Sequence, residues 1–222
     1  MACQVTDCGI SFLIEKTLMR IKIKIKNKIE KILKTIYLYG ISKQLYDIFF
    51  LLKSERGRFL SCFILDLFNI FPDWFIIARF RSFTLNLIGC KVKNPGTSMI
   101  RKNFFLEFPR NVSFGENIMI NRDVYFCAND KIIIGNNVRI SFGVKIINIS
   151  HTGLGKNIVD NKKPVVIKDD CSIHANAIIL PGTVLEDGVH VSAGAIVGGE
   201  TRRGGVYMGN PARLIKIRDE YL

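Results

Sequence analysis

The sequence predicts a mainly β fold: a parallel β-solenoid over residues 90–222, preceded by an α-helical region over residues 1–89. Three observations predict it. Six consecutive six-residue units share one pattern: "VVIKDD", "CSIHAN", "AIILPG", "TVLEDG", "VHVSAG" and "AIVGGE". Over residues 18–36 the apolar residues recur instead at three- and four-residue steps. With 222 residues and 48% apolar side chains, the chain can form one medium domain with a buried core plus an extension.

The helical region comes first. In "MRIKIKIKNKIEKILKTIY" Ile and Lys alternate over 21–26, which resembles a strand. The longer window decides for a helix. Leu18, Ile21, Ile25, Ile29, Ile32 and Ile36 fall on one helical face, and Lys22, Lys24, Lys26, Lys28, Lys31 and Lys34 fill the remaining arc. Only Ile23 breaks the pattern. Such a basic amphipathic helix suits contact with an anionic membrane surface, and it equally suits packing on its own protein with lysines in solvent. A second helical region, Phe49 to Ile88, carries Phe63, Trp74, Phe75 and Phe80. It either packs on the domain that follows or extends the membrane-facing surface. Asp66, Asp73, Arg79 and Arg81 cut its apolar stretch into pieces shorter than the ~20 residues that span a bilayer, so no transmembrane helix is expected. The opening "MACQVTDCGISF" has Asp7 and no basic segment, and no secretory signal is read there. The expected location is cytoplasmic, with peripheral attachment to the inner face of the membrane if the basic helix binds it.

From Cys90 onward, Gly, Asn and Asp punctuate short β-branched pieces. The third place of the six units is aliphatic: Ile167, Ile173, Ile179, Leu185, Val191 and Val197. The first place is small or aliphatic: Val165, Cys171, Ala177, Thr183, Val189 and Ala195. The same beat runs through "VSFGEN", "IMINRD" and "VYFCAN". After a two-residue slip it resumes in "IIIGNN", "VRISFG" and "VKIINI". A period this short means a solenoid. Six residues make one short strand and a turn, and three such units close a triangular coil. No unit buries its apolar residue alone; the stack does so. Residues 112–200 are expected to form about five coils, with one more before them.

The formal charge of +13 suits an anionic partner such as a membrane surface, a phosphorylated substrate or nucleic acid. Nucleic acid is not expected, because aromatic and basic residues do not interleave as a base-stacking groove requires. Cys3, Cys8, Cys62, Cys90, Cys127 and Cys171 form no C-x-x-C pair and read as scattered thiols of a reducing compartment. Of the three histidines, His151 stands in "NISHTGLGKN", where the regular repeats break off.

The repeats resemble those of the hexapeptide-repeat acyltransferases, which fold as a left-handed parallel β-helix. Residues 90–218 are most similar to the galactoside and maltose O-acetyltransferase branch, which includes polysaccharide O-acetyltransferases. The stretch "GENIMINRDVYFCANDKIIIGNNVRISFGVKIINISH" carries the resemblance, ending without a gap on the family's catalytic histidine position, His151. The resemblance implies an acetyl-CoA-dependent O-acetyltransferase of a sugar, polysaccharide or lipopolysaccharide precursor. It also implies a homotrimer with its active site between two solenoids. A sugar hydroxyl is a weak nucleophile, and an imidazole that removes its proton typically contributes about 10²–10⁴ in rate. By the same resemblance Asp123 falls on a substrate-binding asparagine position, with Asn121 beside it. Ala175, Ala193, Gly198 and Gly199 fall on CoA-binding positions. In the tail "GNPARLIK", Arg213 and Lys216 would face CoA phosphates. The chain departs from the family pattern at Asp123, at Ser172 in place of an aromatic, and at Gly198-Gly199 in place of Thr-Lys.

The alternatives share the fold. One is N-acylation of a nucleotide-linked amino sugar, and another is a non-enzymatic interaction scaffold. Serine acetyltransferase has the repeats but a differently organised helical domain. A zinc site like that of γ-type carbonic anhydrases needs converging histidines, whereas His174 and His190 occupy different places of their units and His151 lies in a loop. No metal is expected.

Overall fold

The computed structural model describes residues 27, 28, 31, 63–67 and 69–222. The basic segment 18–36 therefore lies outside the described residues except for Asn27, Lys28 and Lys31. The chain divides into two compact units, Met1–Arg56 and Gly57–Leu222, and the second carries the repeats. Among the described residues no helix is long and apolar enough to cross a membrane.

Three strands make each coil of the solenoid. The first coil is β1 (Lys91–Asn94), β2 (Met99–Ile100) and β3 (Phe105–Glu107). The second is β4 (Val112–Glu116), β5 (Met119–Ile120) and β6 (Tyr125–Cys127), and the third is β7 (Ile132–Ile134), β8 (Arg139–Ile140) and β9 (Lys145–Ile147). The chain then leaves the stack as β10 (Ile149–Thr152) and β11 (Val159–Lys162). It returns for the fourth coil, β12 (Val165–Ile167), β13 (Ser172–Ile173) and β14 (Ile178–Ile179). The fifth is β15 (Val184–Leu185), β16 (His190–Val191) and β17 (Ile196–Val197).

Stacking gives three parallel faces: β1-β4-β7-β12-β15, then β2-β5-β8-β13-β16, then β3-β6-β9-β14-β17. Residues 112–200 thus supply four coils rather than about five, with one before them. The shortfall is the excursion around β10 and β11, whose residues join no coil.

The six-residue phase becomes burial. In every unit from "VSFGEN" to "AIVGGE" the third-place side chain is at most 4% exposed. Phe114, Ile120 and Phe126 of the second coil stand below Ile134, Ile140 and Ile146 of the third. The corner between the first and second faces is built by residues that tolerate a left-handed backbone. Asn117, Asn137 and Asp170 have φ of 54°, 56° and 58°. Their side chains form a ladder, with Asn117 Nδ2 donating to Asn137 Oδ1 at 3.0 Å and Asn137 Nδ2 to Asp170 Oδ1 at 3.0 Å. Two residues earlier, a Cβ on Gly115 would lie 2.6 Å from the Gly135 carbonyl oxygen, so the stack admits only glycine there.

Both ends are capped. Helix α1 (Phe75–Leu87) packs on β1 and β2. It stops in a Schellman arrangement at Gly89 (φ 102°), where the Cys90 amide donates to the Leu85 carbonyl and the Gly89 amide to that of Asn86. At the other end β18 (Gly205–Gly209) extends the second face beside β16, and β19 (Ala212–Ile217) pairs antiparallel with β18. The Tyr221 ring then fills the space over Gly188 and Gly204.

Candidate active site

The excursion is held at its base by Asn148. This residue is fully buried; its amide donates to the Cys127 carbonyl at 3.3 Å and its Nδ2 to the Asp130 carbonyl at 2.6 Å. Its own carbonyl accepts from the Lys163 amide at 3.0 Å, which closes the base. Beyond it, β10 and β11 form an antiparallel hairpin in which His151 stands opposite Asp160. The sequence reading made this stretch a plain loop. Strand pairing across the turn at 153–158 supplies hydrogen bonds that the solenoid cannot offer so far from its core.

The pairing brings the His151 Nδ1 within 2.9 Å of the Asp160 carboxylate. Both side chains are more than half exposed, so the imidazole is oriented but open to a reactant. Asp160 was not anticipated. Nine residues separate the two, and only a hairpin register places them face to face.

A second cluster also escaped the sequence reading. It lies on the outer side of the third face, one coil below the strand that leads to His151. Tyr125 donates to the Glu107 carboxylate at 3.1 Å, and the Cys127 thiol lies 3.4 Å from its other oxygen. Phe105 stacks on Tyr125 with ring centroids 5.2 Å apart. Burial, then the Glu107 charge, pushes the Tyr125 phenol up, and the same two causes push the Cys127 thiol up. One coil is about twenty residues long, which is why Glu107 and Cys127 meet across |i−j| = 20. That spacing is the signal that could have joined them.

Asn121 and Asp123 lie on the corner between the second and third faces. Asp123 has φ of 59° there and its carboxylate accepts from Asn103 Nδ2 at 2.9 Å. The Asn121 side chain accepts from the Arg122 amide at 2.8 Å. Ala175 and Ala193 occupy the same corner two and three coils on, joined by the Gly194 amide donating to the Ala175 carbonyl at 2.8 Å. Gly198 and Gly199 sit on the next corner, the one from which the hairpin springs, and both are exposed. Arg213 and Lys216 are exposed on β19. Within one chain, then, His151, Gly198 and Gly199 lie on one edge of the third face and Asn121, Asp123, Ala175 and Ala193 on the other, while Arg213 and Lys216 lie apart on β19.

His174 and His190 come together on the second face, with ring centroids 5.6 Å apart. Among the described residues no three His, Cys, Asp or Glu side chains gather as a metal site. Burial pushes the Cys90 and Cys171 thiols up to about 12, so neither is a thiolate nucleophile at neutral pH.

Comparison with known proteins agrees with this architecture. Residues 164–199 match the bacterial transferase hexapeptide (six repeats) family model. The chain is 29% identical over 146 residues to the putative colanic acid biosynthesis acetyltransferase WcaF of Escherichia coli (strain K12), covering 65% of this chain and 79% of that protein. It superposes on the hexapeptide-repeat acetyltransferase VCA0836 of Vibrio cholerae O1 biovar eltor, solved with acetyl coenzyme A. The TM-score is 0.62 at 25% identity, covering 81% of this chain and 92% of the other. A galactoside acetyltransferase in complex with coenzyme A shares the fold, with a TM-score of 0.67 at 20% identity, covering 74% and 82%.

Proposed function

We propose that this chain, a hexapeptide-repeat acetyltransferase using acetyl-CoA, acetylates a hydroxyl of a sugar or glycan precursor with His151 as general base. The observation that carries the reading is the His151–Asp160 pair at 2.9 Å, held where the repeats break. With Asp160 accepting from Nδ1–H, Nε2 keeps its lone pair and can take a proton. The hydroxyl oxygen then bonds to the thioester carbonyl carbon as its proton passes to Nε2. The C–S bond breaks, and the imidazolium returns that proton to the departing thiolate of CoA. No cysteine is needed, which suits the suppressed thiols of Cys90 and Cys171.

The names of similar proteins support the acceptor class: one belongs to colanic acid biosynthesis and another is a galactoside acetyltransferase. The Phe105–Tyr125 stack with the Glu107 carboxylate offers an apolar plate and hydrogen-bonding groups, the combination that holds a sugar ring. Ala175 and Ala193, with small side chains, and Gly198 and Gly199, with none, leave the two edges open, where a pantetheine arm can lie against backbone. Arg213 and Lys216 supply cations for its phosphates. Asn121 and Asp123 stand on the edge away from His151, which suits a site completed between neighbouring copies. A homotrimer, cytoplasmic and peripheral on the membrane through residues 18–36, is the assembly this reading favours; sedimentation at micromolar concentration giving a clean monomer removes it.

The decisive experiment is acetyl transfer from acetyl-CoA to a panel of sugar, amino-sugar and lipid-linked glycan acceptors. His151→Ala should lower turnover by about 10²–10⁴ while acetyl-CoA binding stays unchanged. Near-normal turnover on a verified acceptor returns His151 to a surface role. Acetylation only at amino groups transfers the chain to the N-acyl class.

A further inference from the structure

Helix α1 is built inside out. The residues it buries against the solenoid are Ala78, Arg81, Ser82, Thr84 and Leu85, three of them polar. Their hydroxyls and the Arg81 Nη1 group find partners nearby. The Ser82 hydroxyl donates to the Pro95 carbonyl and the Thr84 hydroxyl to the Arg81 carbonyl. Arg81 pairs with Asp73 at 3.1 Å. The outward side carries Phe75, Ile76, Phe80, Phe83 and Leu87, with Ile70 and Trp74 just before it. Trp74 is 65% exposed, Phe75 70% and Leu87 76%. A surface helix ordinarily turns its apolar stripe to the core and its polar side to water. Here the two are exchanged, so the outward apolar side is shaped for contact with something other than water.

The charge around this plate decides what covers it. Between residues 63 and 103 the acids are Asp66 and Asp73, against Arg79, Lys91, Lys93, Arg101 and Lys102, with Arg81 buried on Asp73 and Lys93 paired with Glu116 of β4. Asp73 is already shared, because Arg101 lies 3.0 Å and Arg122 2.5 Å from its carboxylate in addition to Arg81. Arg101 also sits 5.5 Å over the Phe75 ring, which places a cation at the edge of the apolar plate. Aromatic side chains within a cationic rim match the boundary between anionic headgroups and acyl chains. A folded protein partner would need an acidic rim around an apolar hollow; a phospholipid surface presents both layers everywhere.

We propose that the outward side of α1, with Ile70 and Trp74, inserts into the interface of an anionic bilayer. The inference does not depend on His151 being a base. It names a different segment from 18–36, and the two can be told apart because Trp74 is the only tryptophan in the chain.

The experiment uses the full-length protein with vesicles of phosphatidylcholine alone or mixed with phosphatidylglycerol. Flotation should occur with the mixed vesicles and fall as salt rises. On binding, Trp74 emission should shift to the blue and be quenched by brominated acyl chains. Replacing Trp74, Phe80 and Phe83 by Ser should lower vesicle affinity by about tenfold or more, with thermal unfolding of the solenoid unchanged. Vesicle binding that leaves Trp74 emission unshifted and unquenched overturns the proposal in favour of another segment. Loss of an oligomer in the same triple variant, with vesicle binding retained, overturns it in favour of contact between copies. No flotation with either vesicle also overturns it.

Discussion

The coils and the hairpin that leaves them obey opposite rules. In the coils, each residue's place in the six-residue unit decides its burial, and third-place side chains are at most 4% exposed. In the hairpin, Leu154 is 88% exposed although it is as apolar as any core residue. The same side-chain chemistry has two fates because a coil supplies neighbours above and below, while the hairpin has only its own partner strand. The His151–Asp160 pair is therefore held by the hairpin without burying either group.

The largest effect that would test this contrast is in the core. Phe126 meets Phe104 edge-on at 5.2 Å and lies 6.0 Å from Phe114. Phe126→Ala should cost about 3–5 kcal/mol by denaturant unfolding, whereas Leu154→Ser should stay within about 0.5 kcal/mol. Comparable losses at the two sites would mean that the hairpin is part of the core.

Next is Asp160, which in the proposed mechanism positions His151. Asp160→Asn should lower kcat by about tenfold, since orientation accounts for part of the 10²–10⁴ a base contributes. The KM for acetyl-CoA should not move, and Asp160→Glu should restore part of the rate. A rise in that KM with kcat intact would make Asp160 a binding residue. Equal losses with Glu and Asn would show that the carboxylate position, not its charge, matters.

The smallest effect concerns pH. Burial, assisted by Arg218 and His174, pushes the His190 imidazole below its usual range, and Glu220 opposes them weakly. The unfolded chain then takes up a proton near pH ~6.5 that the folded chain refuses. The unfolded state therefore binds more protons in that window, so stability should fall as pH drops through about 6.5 and level off below the folded value. His190→Gln should flatten the slope between pH 7 and 5 in thermal unfolding. An unchanged slope would assign it to other groups.

Much of the fold was legible because the repeat is short and burial is periodic. Ile167, Ile173 and Ile179 are spaced by the length of a unit, and no helix or lone hairpin buries that spacing. The coil count over 112–200 was less legible, because residues 148–163 resemble a long loop until their strand pairing is known. For the site, the break in phase singled out His151. It could not single out Asp160, whose value depends on hairpin register, or the Glu107–Tyr125–Cys127 group, whose members lie on successive coils.

The sequence by itself determined the parallel solenoid, a helical stretch before it and the point at which the chain leaves the repeats. The solenoid follows from the six-residue spacing, and the point of departure from the interruption after Ile146. Tertiary structure alone decided which groups touch. It set His151 against Asp160 and turned the apolar side of α1 outward by burying Arg81, Ser82 and Thr84. The physical reason is that spacing along the chain specifies which residues share a face. The direction of that face, and what lies across from it, depend on hydrogen bonds and contacts between segments remote in sequence.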